Sequence, residues 1–157
     1  SSMNSQMNKA CTIAGDFNSI MTKDEANNCK LILFEKILDC YKKGIKTFYT
    51  NCEMGVPIYS AEILTSLKEN FLIALKLVIP YEEQAVKWPE KWRERYYSIH
   101  EKADSVFQID FHCGSDSYQK ADRYMIDRSS NLICAENSRD SYIAYYAEKK
   151  GCQIEFF

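Results

Sequence analysis

Six short apolar runs alternate with longer amphipathic segments along this chain, and this alternation constrains the fold more than any other feature. The runs span residues 11–14, 47–50, 73–79, 104–110, 132–135 and 153–157. The segments between them repeat their apolar residues with helical spacing. Strands joined through helices form right-handed crossover units, in which neighbouring strands run parallel. The sequence therefore predicts a three-layer α/β/α fold with a mainly parallel six-stranded sheet.

Start and stop signals for helices agree with this alternation. Thr22 and Glu25 form a capping box for a helix that ends at Gly44. Its inward face is expected to be the stripe Leu31, Phe34, Leu38 and Tyr41. Pro57 predicts the start of a second helix, because the first turn of a helix needs no N–H at that position. Further helices are predicted over residues 89–102, 115–129 and 138–150, the last with Ile143, Tyr146 and Ala147 facing inward.

Length and charge restrict the class of protein. The 157 residues are expected to form one domain over residues 10–157, after a polar start at 1–9 that is either disordered or a remnant of the expression vector. The 20 basic and 22 acidic residues give a net charge of -2 and are spread along the chain. No basic stripe follows a phosphate backbone, so nucleic-acid binding by this chain alone is disfavoured.

Seven cysteines occur singly, without any Cys-x-x-Cys pair. An odd, scattered set of this kind is typical of reduced thiols in the cytoplasm, and most of them are expected to be buried. The longest apolar run, residues 71–80, is interrupted by Lys76 and is too short to cross a membrane. The sequence therefore predicts a cytoplasmic protein with no metal site and no cofactor.

The predicted sheet also indicates where a ligand would lie. In open α/β sheets the ligand lies beyond the carboxyl ends of the strands, where the strand order reverses. The usual order 3-2-1-4-5-6 would place strand one beside strand four. The loops after these two strands supply the first candidates for ligand contacts, which are Gly15, Asp16, Phe17, Asp110 and His112. Helix amino termini at such loops favour anions, so a phosphate group is the expected ligand feature.

Three motifs carry a resemblance to a known family. They span residues 55–62 (GVPIYSAE), 80–88 (PYEEQAVKW) and 122–134 (DRYMIDRSSNLIC). They resemble the YpsA-like branch of the SLOG superfamily of Rossmann-like proteins, which also contains the DNA-processing protein DprA and the lysine-decarboxylase-like proteins. The resemblance covers about residues 10–157. It implies a Rossmann-like fold with a crevice for a nucleotide-derived small molecule.

The loop after strand two departs from the family pattern. The family run Ser-Gly-Gly-x-x-Gly-Val-Asp is matched by residues 50–57, which keep Gly55 but carry Asn51 and Cys52 in place of two glycines. Glycine lets backbone N–H groups close on an anion. The two side chains are therefore expected to obstruct a phosphate cradle of the family type.

Two further motifs lack residues that would favour phosphate. The family pair Arg-Asn is matched by Ala121 and Asp122, ahead of Tyr124 at a second motif position, and a glycine-rich turn is replaced by Ser138, Arg139 and an aspartate. Arg139 would supply charge from a different geometry. Any ligand is therefore expected to bind more weakly than in relatives that keep the glycine loops.

The resemblance and the expected crevice add further candidates for ligand contacts, which are Glu53, Glu62, Trp88, Asp122, Tyr124, Ser138 and Arg139. The Glu62 carboxylate suits a general base or an acceptor for ribose hydroxyls, and its partner is either a ligand or a backbone group. Trp88 either stacks on a base or packs in the core. His112 and Cys113 have the chemistry of a nucleophile pair or zinc ligands, but without a second ligand motif a polar loop is the simpler interpretation.

Three hypotheses on function follow from these observations. The first is a binding module that senses or sequesters a nucleotide-derived small molecule. The second is an enzyme that cleaves an N-glycosidic bond, as in the lysine-decarboxylase-like relatives, but their Pro-Gly-Gly-x-Gly-Thr-x-x-Glu run is absent here. The third is a non-catalytic interaction protein, either a homodimer or a DprA-like accessory in DNA processing. The first hypothesis is preferred, and catalysis is disfavoured without being excluded.

Overall fold

The computed structural model describes residues 9–18 and 21–157, so the prediction of a disordered start lies almost wholly outside the described residues. The strands are β1 (Ala10–Ala14), β2 (Thr47–Thr50), β3 (Ala74–Tyr81), β4 (Ser105–Asp110), β5 (Asn131–Cys134) and β6 (Gln153–Phe156). The helices are α1 (Lys23–Lys42), α2 (Val56–Leu67), α3 (Glu90–Lys102), α4 (Ser117–Asp127) and α5 (Tyr142–Lys149), with a 3₁₀ turn at Glu136–Ser138. Neighbouring strands pair in parallel throughout the sheet. The predicted α/β/α fold with a parallel six-stranded sheet is confirmed.

The strand order is β4-β3-β2-β1-β5-β6, and the predicted order 3-2-1-4-5-6 is wrong. Strand β4 lies at an edge beside β3, while β5 takes the place beside β1. The reason is burial, because a central strand in a sheet with helices on both faces must be apolar on both sides. Leu132, Ile133 and Cys134 of β5 are buried, whereas the first four residues of β4 are exposed. The order therefore reverses between β1 and β5.

The sheet separates two apolar cores, because successive side chains of a strand point to opposite faces. Cys11 and Ile13 of β1 belong to the core under α1, α2 and α3. Ala10 and Ala14 belong to the core under α4 and α5. Strand β1 is buried along its whole length, and its carboxyl end therefore lies between both helix layers.

Helix α1 begins and ends as predicted but turns a partly different face to the sheet. The Thr22 hydroxyl accepts a hydrogen bond from the Glu25 N–H at 3.1 Å, and Gly44 after the helix has a φ of 93°. The expected inward stripe is only half right, since Leu38 and Tyr41 pack against the core but Leu31 and Phe34 are 65% and 41% exposed. The buried residues of α1 are Leu33, Ile37 and Cys40. This second stripe also includes Ala26 and Cys29, which are packed against the core and whose small side chains let the helix approach the sheet closely.

The helix predicted over residues 138–150 begins later than expected. A 3₁₀ turn ends at Ser138, and α5 begins only at Tyr142. Ser141 sets this start, because its hydroxyl accepts a hydrogen bond from the Ala144 N–H at 3.4 Å and so caps α5. Within the described ranges, no helix combines the length and the apolar character needed to span a bilayer.

The seven cysteines are all free, as predicted, and differ in exposure. Cys11, Cys40, Cys52 and Cys134 are buried, Cys29 and Cys152 are partly buried, and Cys113 is exposed. Burial raises the pKa of Cys29 and of Cys152, which keeps these two thiols protonated and unreactive.

A thiol titration of the native protein should therefore show one fast site. We expect Cys113 to react with a disulfide reagent well before the other six, and all seven to react after denaturation. Cys113→Ser should remove the fast phase, whereas Cys152→Ser should leave it in place. Fewer than seven thiols in denatured protein prepared without oxidant would contradict the reduced state expected from the sequence.

Candidate functional site

A crevice of about 260 Å³ opens at the carboxyl ends of β1 and β5, where the strand order reverses. We call it the β1–β5 crevice. Five of the candidates from the sequence line it, namely Gly15, Asp16, Asn51, Asp122 and Ser138. These residues lie in the loops after β1 and β2, in α4 and in the 3₁₀ turn. The position agrees with the general rule for ligands of open α/β sheets.

Gly15 directly follows β1 and lies between Ala135, which follows β5, and Val56, the first residue of α2. A Cβ atom at this position would lie 3.0 Å from the Cβ atoms of both Ala135 and Val56. That separation is shorter than normal carbon contacts allow. Glycine therefore lets the end of β1 lie against the start of α2 and the end of β5, beside the crevice that it lines.

The loop after β2, where two glycines of the family pattern are absent, is held by hydrogen bonds of its own side chains. Cys52 adopts a left-handed backbone with a φ of 59°. The Glu53 N–H donates to Asn51 Oδ1 at 3.0 Å, and the Cys52 N–H donates to Thr50 Oγ1 at 3.3 Å. The Cys52 side chain is fully buried in the core, where burial raises its pKa. The prediction that Cys52 obstructs the crevice is therefore wrong, because its side chain points away from it.

Glu53 is held inside the protein by its own hydrogen bonds. The Tyr118 hydroxyl donates to Glu53 Oε2, and the Met54 N–H donates to Glu53 Oε1 at 3.0 Å. Burial and the neighbouring Glu53 carboxylate raise the pKa of Tyr118, which stays protonated. Gln84 also ties this network to the loop, since its Nε2 donates to the Asn51 carbonyl at 3.0 Å. Glu53 therefore supports the crevice wall and is not free to meet a ligand.

Two carboxylates give the crevice its charge. Asp16 and Asp122 both line it, and no lysine or arginine does so among the described residues. The Ser138 hydroxyl donates to Asp16 Oδ2 at 3.0 Å and accepts from the Asp16 N–H at 2.9 Å. No described residue donates a hydrogen bond to Asp122. Burial, and next the charge of Asp16, raise the pKa of Asp122 to about 7, against the opposing effect of Arg123.

The loop after β4 lies outside the crevice, and the prediction that placed Asp110 and His112 there is wrong. Strands β2 and β3 separate β4 from β1. Asp110 accepts hydrogen bonds from Ser117 Oγ at 2.7 Å and Lys120 Nζ at 2.9 Å, and both lower its pKa. His112 Nδ1 lies 2.8 Å from Glu83 Oε1, a hydrogen bond that raises the pKa of the imidazole. Within the described part of the chain, no three His, Cys, Asp or Glu side chains group as metal ligands.

Glu62 and Trp88 make protein contacts. Arg95 donates to both oxygens of Glu62, at 2.9 Å from Nε and 2.5 Å from Nη2. The partner of Glu62 is therefore a side-chain cation and not a backbone group. Trp88 packs edge-on against Tyr96 at 5.3 Å between ring centroids, which favours the interpretation of Trp88 as part of the core.

Tyr124 and Arg139 also lie away from the crevice. Tyr124 stacks on Phe107 of β4 at 4.4 Å between centroids. Arg139 makes two hydrogen bonds of 2.8 Å with Glu136 and lies over the ring of Phe156. Ala121 is fully buried, so the family arginine at this position would have to enter the core.

The sequence alone missed four polar residues that line the crevice. These are Tyr118, Gln119, Ser141 and Tyr142. They belong to the first turn of α4 or to the cap and first turn of α5. Helices after β4 and β5 begin at the carboxyl edge of a parallel sheet, and the true place of β5 beside β1 would have indicated Ser141 and Tyr142. Tyr118 and Gln119 follow the edge strand β4, and the strand order alone does not indicate them.

Replacing Asp122 with asparagine should remove a pH-dependent loss of stability. The pKa of Asp122 is about 7 in the folded protein, whereas the pKa of an unperturbed aspartate is about 3.9. The folded state therefore binds a proton that the unfolded state releases, and the free energy of unfolding falls as pH rises through this window. Relative to the native chain, Asp122→Asn should gain about 1–3 kcal/mol between pH 4 and pH 8.

Urea unfolding of both proteins at the two pH values measures this difference. Asp16→Asn is the matched variant, because removing the neighbouring charge should lower the pKa of Asp122 and move the window to lower pH. An equal difference between the native chain and Asp122→Asn at both pH values would contradict a raised pKa.

Comparison with known proteins agrees with the motifs. The UPF0398 protein of Halalkalibacterium halodurans is 27% identical over 118 residues, which are 73% of this chain and 62% of that protein. The UPF0398 protein of Macrococcus caseolyticus is 24% identical over 111 residues, 69% of this chain and 61% of that protein. The UPF0398 protein of Staphylococcus epidermidis is 24% identical over 131 residues, which are 81% of this chain and 68% of that protein.

The first two of these alignments span about six tenths of the relatives' own length. The sequence model of the YspA SLOG family, named YpsA, matches residues 16–153. This match covers most of the chain and confirms the resemblance carried by the motifs. The chain therefore belongs to the YspA SLOG family.

Proposed function

We propose that this chain is a binding module for a nucleotide-derived small molecule, and that the β1–β5 crevice contacts the sugar hydroxyls and base amino groups of that ligand. The observation that carries this proposal is the charge of the crevice. Two carboxylates line it, without a lysine or arginine among the described lining residues. Such a crevice suits groups that donate hydrogen bonds and disfavours a phosphate.

The chemistry of the two carboxylates supports this assignment. An ionised carboxylate only accepts hydrogen bonds, and acidic residues near this edge of Rossmann folds hold ribose hydroxyls. Asp122 receives no hydrogen bond from the described residues, and its pKa of about 7 leaves it partly protonated near neutral pH. Its carboxyl group can therefore accept a hydrogen bond from a ligand or donate one. Asn51 adds the donors of its side-chain amide, whose oxygen already accepts from the Glu53 N–H. The Ser138 hydroxyl donates its proton to Asp16 and adds an acceptor.

Phosphate is disfavoured by the same groups. A phosphate in the crevice would approach the Asp16 carboxylate, and Asp122 where it is ionised, without a lysine or arginine among the described lining residues. Repulsion between like charges increases as water is excluded from a cleft. This crevice therefore differs from a family-type cradle in its electrostatics, whereas the backbone of the loop after β2 keeps a shape that glycine would favour.

Binding of unphosphorylated nucleosides tests the proposal. Calorimetry with adenosine, guanosine, cytidine and uridine should find at least one that binds without a phosphate group. Asp16→Asn or Ser138→Ala should weaken that binding about tenfold, since each removes a hydrogen bond or charge at the ligand. Asp39→Asn, on the exposed side of α1, is the control and should bind as the native chain does.

Two outcomes would contradict this function. Binding confined to phosphorylated compounds and unaffected by Asp16→Asn would show that the crevice is not the nucleoside site. Release of the free base from the bound nucleoside, followed by chromatography, would instead support the glycosidic-bond enzyme considered from the sequence.

A second candidate function is self-association through β4. The outer edge of this strand pairs with no described strand, and Val106 and Phe107 are 47% and 45% exposed. An open edge with apolar side chains readily adds a strand from another chain. Two copies that paired along β4 would continue the sheet and form the homodimer considered from the sequence.

Sedimentation velocity tests this second candidate. The native chain should sediment as a dimer, and Val106→Lys should sediment as a monomer, because an edge lysine opposes strand addition. Leu31→Lys is a matched control, since Leu31 is exposed and apolar but lies on α1. A monomeric native chain, or equal behaviour of the two lysine variants, would reject β4 as the interface.

A further inference from the structure

A second cavity, of about 500 Å³, lies between the first turns of α1, α2 and α3. We call it the cation pocket. Four basic side chains line it, which are Lys23, Lys30, Lys91 and Arg95. No carboxylate is present among its described lining residues. The cation pocket shares no lining residue with the β1–β5 crevice.

Aromatic rings and Glu62 fix two of these cations in place. The Arg95 guanidinium lies 4.4 Å from the Trp92 ring centroid, and its nitrogens hold both oxygens of Glu62. Lys30 Nζ lies 4.8 Å from the centroid of Tyr59. Cation–π contacts of this length position the charge without neutralising it. The rings therefore hold the cations in place.

The three lysines carry charge that the protein does not neutralise. Arg95 has Glu62 as its partner, but Lys23, Lys30 and Lys91 form no ion pair with a described carboxylate. Like charges gathered around one cleft repel one another and concentrate the positive potential there. An anion placed between them would relieve this repulsion.

The geometry points to a ligand with more than one negative charge on phosphate groups. We propose that the cation pocket binds a diphosphate group, either free or as part of a larger phosphorylated molecule. Lysines act as point charges toward phosphate and do not need the planar approach that arginine requires. Arg95 already uses the Nε and Nη2 edge of its guanidinium to bind Glu62, so the three lysines supply the contacts. This proposal does not depend on the function of the β1–β5 crevice.

Calorimetry with inorganic diphosphate on the full chain tests the proposal. We expect binding that weakens with added salt and that falls about tenfold or more in the double variant K23Q/K91Q. Both lysines are exposed, so the variant should unfold at the same urea concentration as the native chain. K42Q/K43Q removes two exposed lysines at the other end of α1 and should bind diphosphate as the native chain does.

Comparing the affinity for ADP with that for inorganic diphosphate distinguishes the two sources of the phosphate groups. Tighter binding of ADP than of diphosphate, lost in K23Q/K91Q, would assign the pocket to the phosphates of a nucleotide. Equal binding of the two would assign it to the phosphate groups alone. Absence of diphosphate binding, or equal affinity in K23Q/K91Q and K42Q/K43Q, would overturn the proposal.

Two cross-checks separate this site from the crevice. Asp16→Asn should leave diphosphate binding unchanged, and K23Q/K91Q should leave nucleoside binding unchanged. If nucleosides fail to bind but diphosphate binds with the expected lysine dependence, the crevice proposal fails and the cation pocket stands. A loss of diphosphate binding in Asp16→Asn would count against a separate pocket.

Discussion

The pairing of β1 on both of its edges is the constraint on which the rest of this structure depends. The strand bonds to β2 on one side and to β5 on the other, and all five of its residues are buried. A strand with no exposed face and no free edge cannot shift its register without burying unpaired polar groups. Its carboxyl end is therefore fixed, and Gly15 is needed there because Ala135 and Val56 leave no room for a side chain.

The segment after β1 divides two cavities of opposite charge. Asp16 lines the acidic crevice, and Phe17, the next residue, lines the cation pocket. A chain with a net charge of -2 thus concentrates positive potential on one side of a single turn and negative potential on the other. Anionic groups of a ligand are therefore attracted to the cation pocket, and cationic or hydrogen-bond-donating groups to the crevice.

The sequence predicted features that depend on local chemistry and failed where distant elements compete. The cap at Thr22 and the stop at Gly44 involve neighbours in the chain, and both are confirmed. Choosing which strand lies beside β1 required a comparison of how apolar β4 and β5 are. The polar residues Ser105 and Gln108 in β4 indicate an edge strand. The inward face of α1 was only partly predicted, since the helix carries two apolar stripes and the sheet contacts Leu33 and Ile37 as well as Leu38 of the predicted stripe. The pair of Glu62 and Arg95 joins α2 to α3, a contact that no local pattern indicates.

The loop around Cys52 bears on how such a protein changes over evolutionary time. A left-handed backbone costs a residue other than glycine about 1–2 kcal/mol, and burial of a small apolar side chain returns a similar amount. Exchange between cysteine and glycine at this position is therefore nearly neutral, and drift between them leaves the loop unchanged. The Thr50 and Asn51 side chains hold the backbone N–H groups of this loop. A left-handed turn of this kind therefore does not require glycine, so the absence of a glycine from the sequence does not exclude the turn.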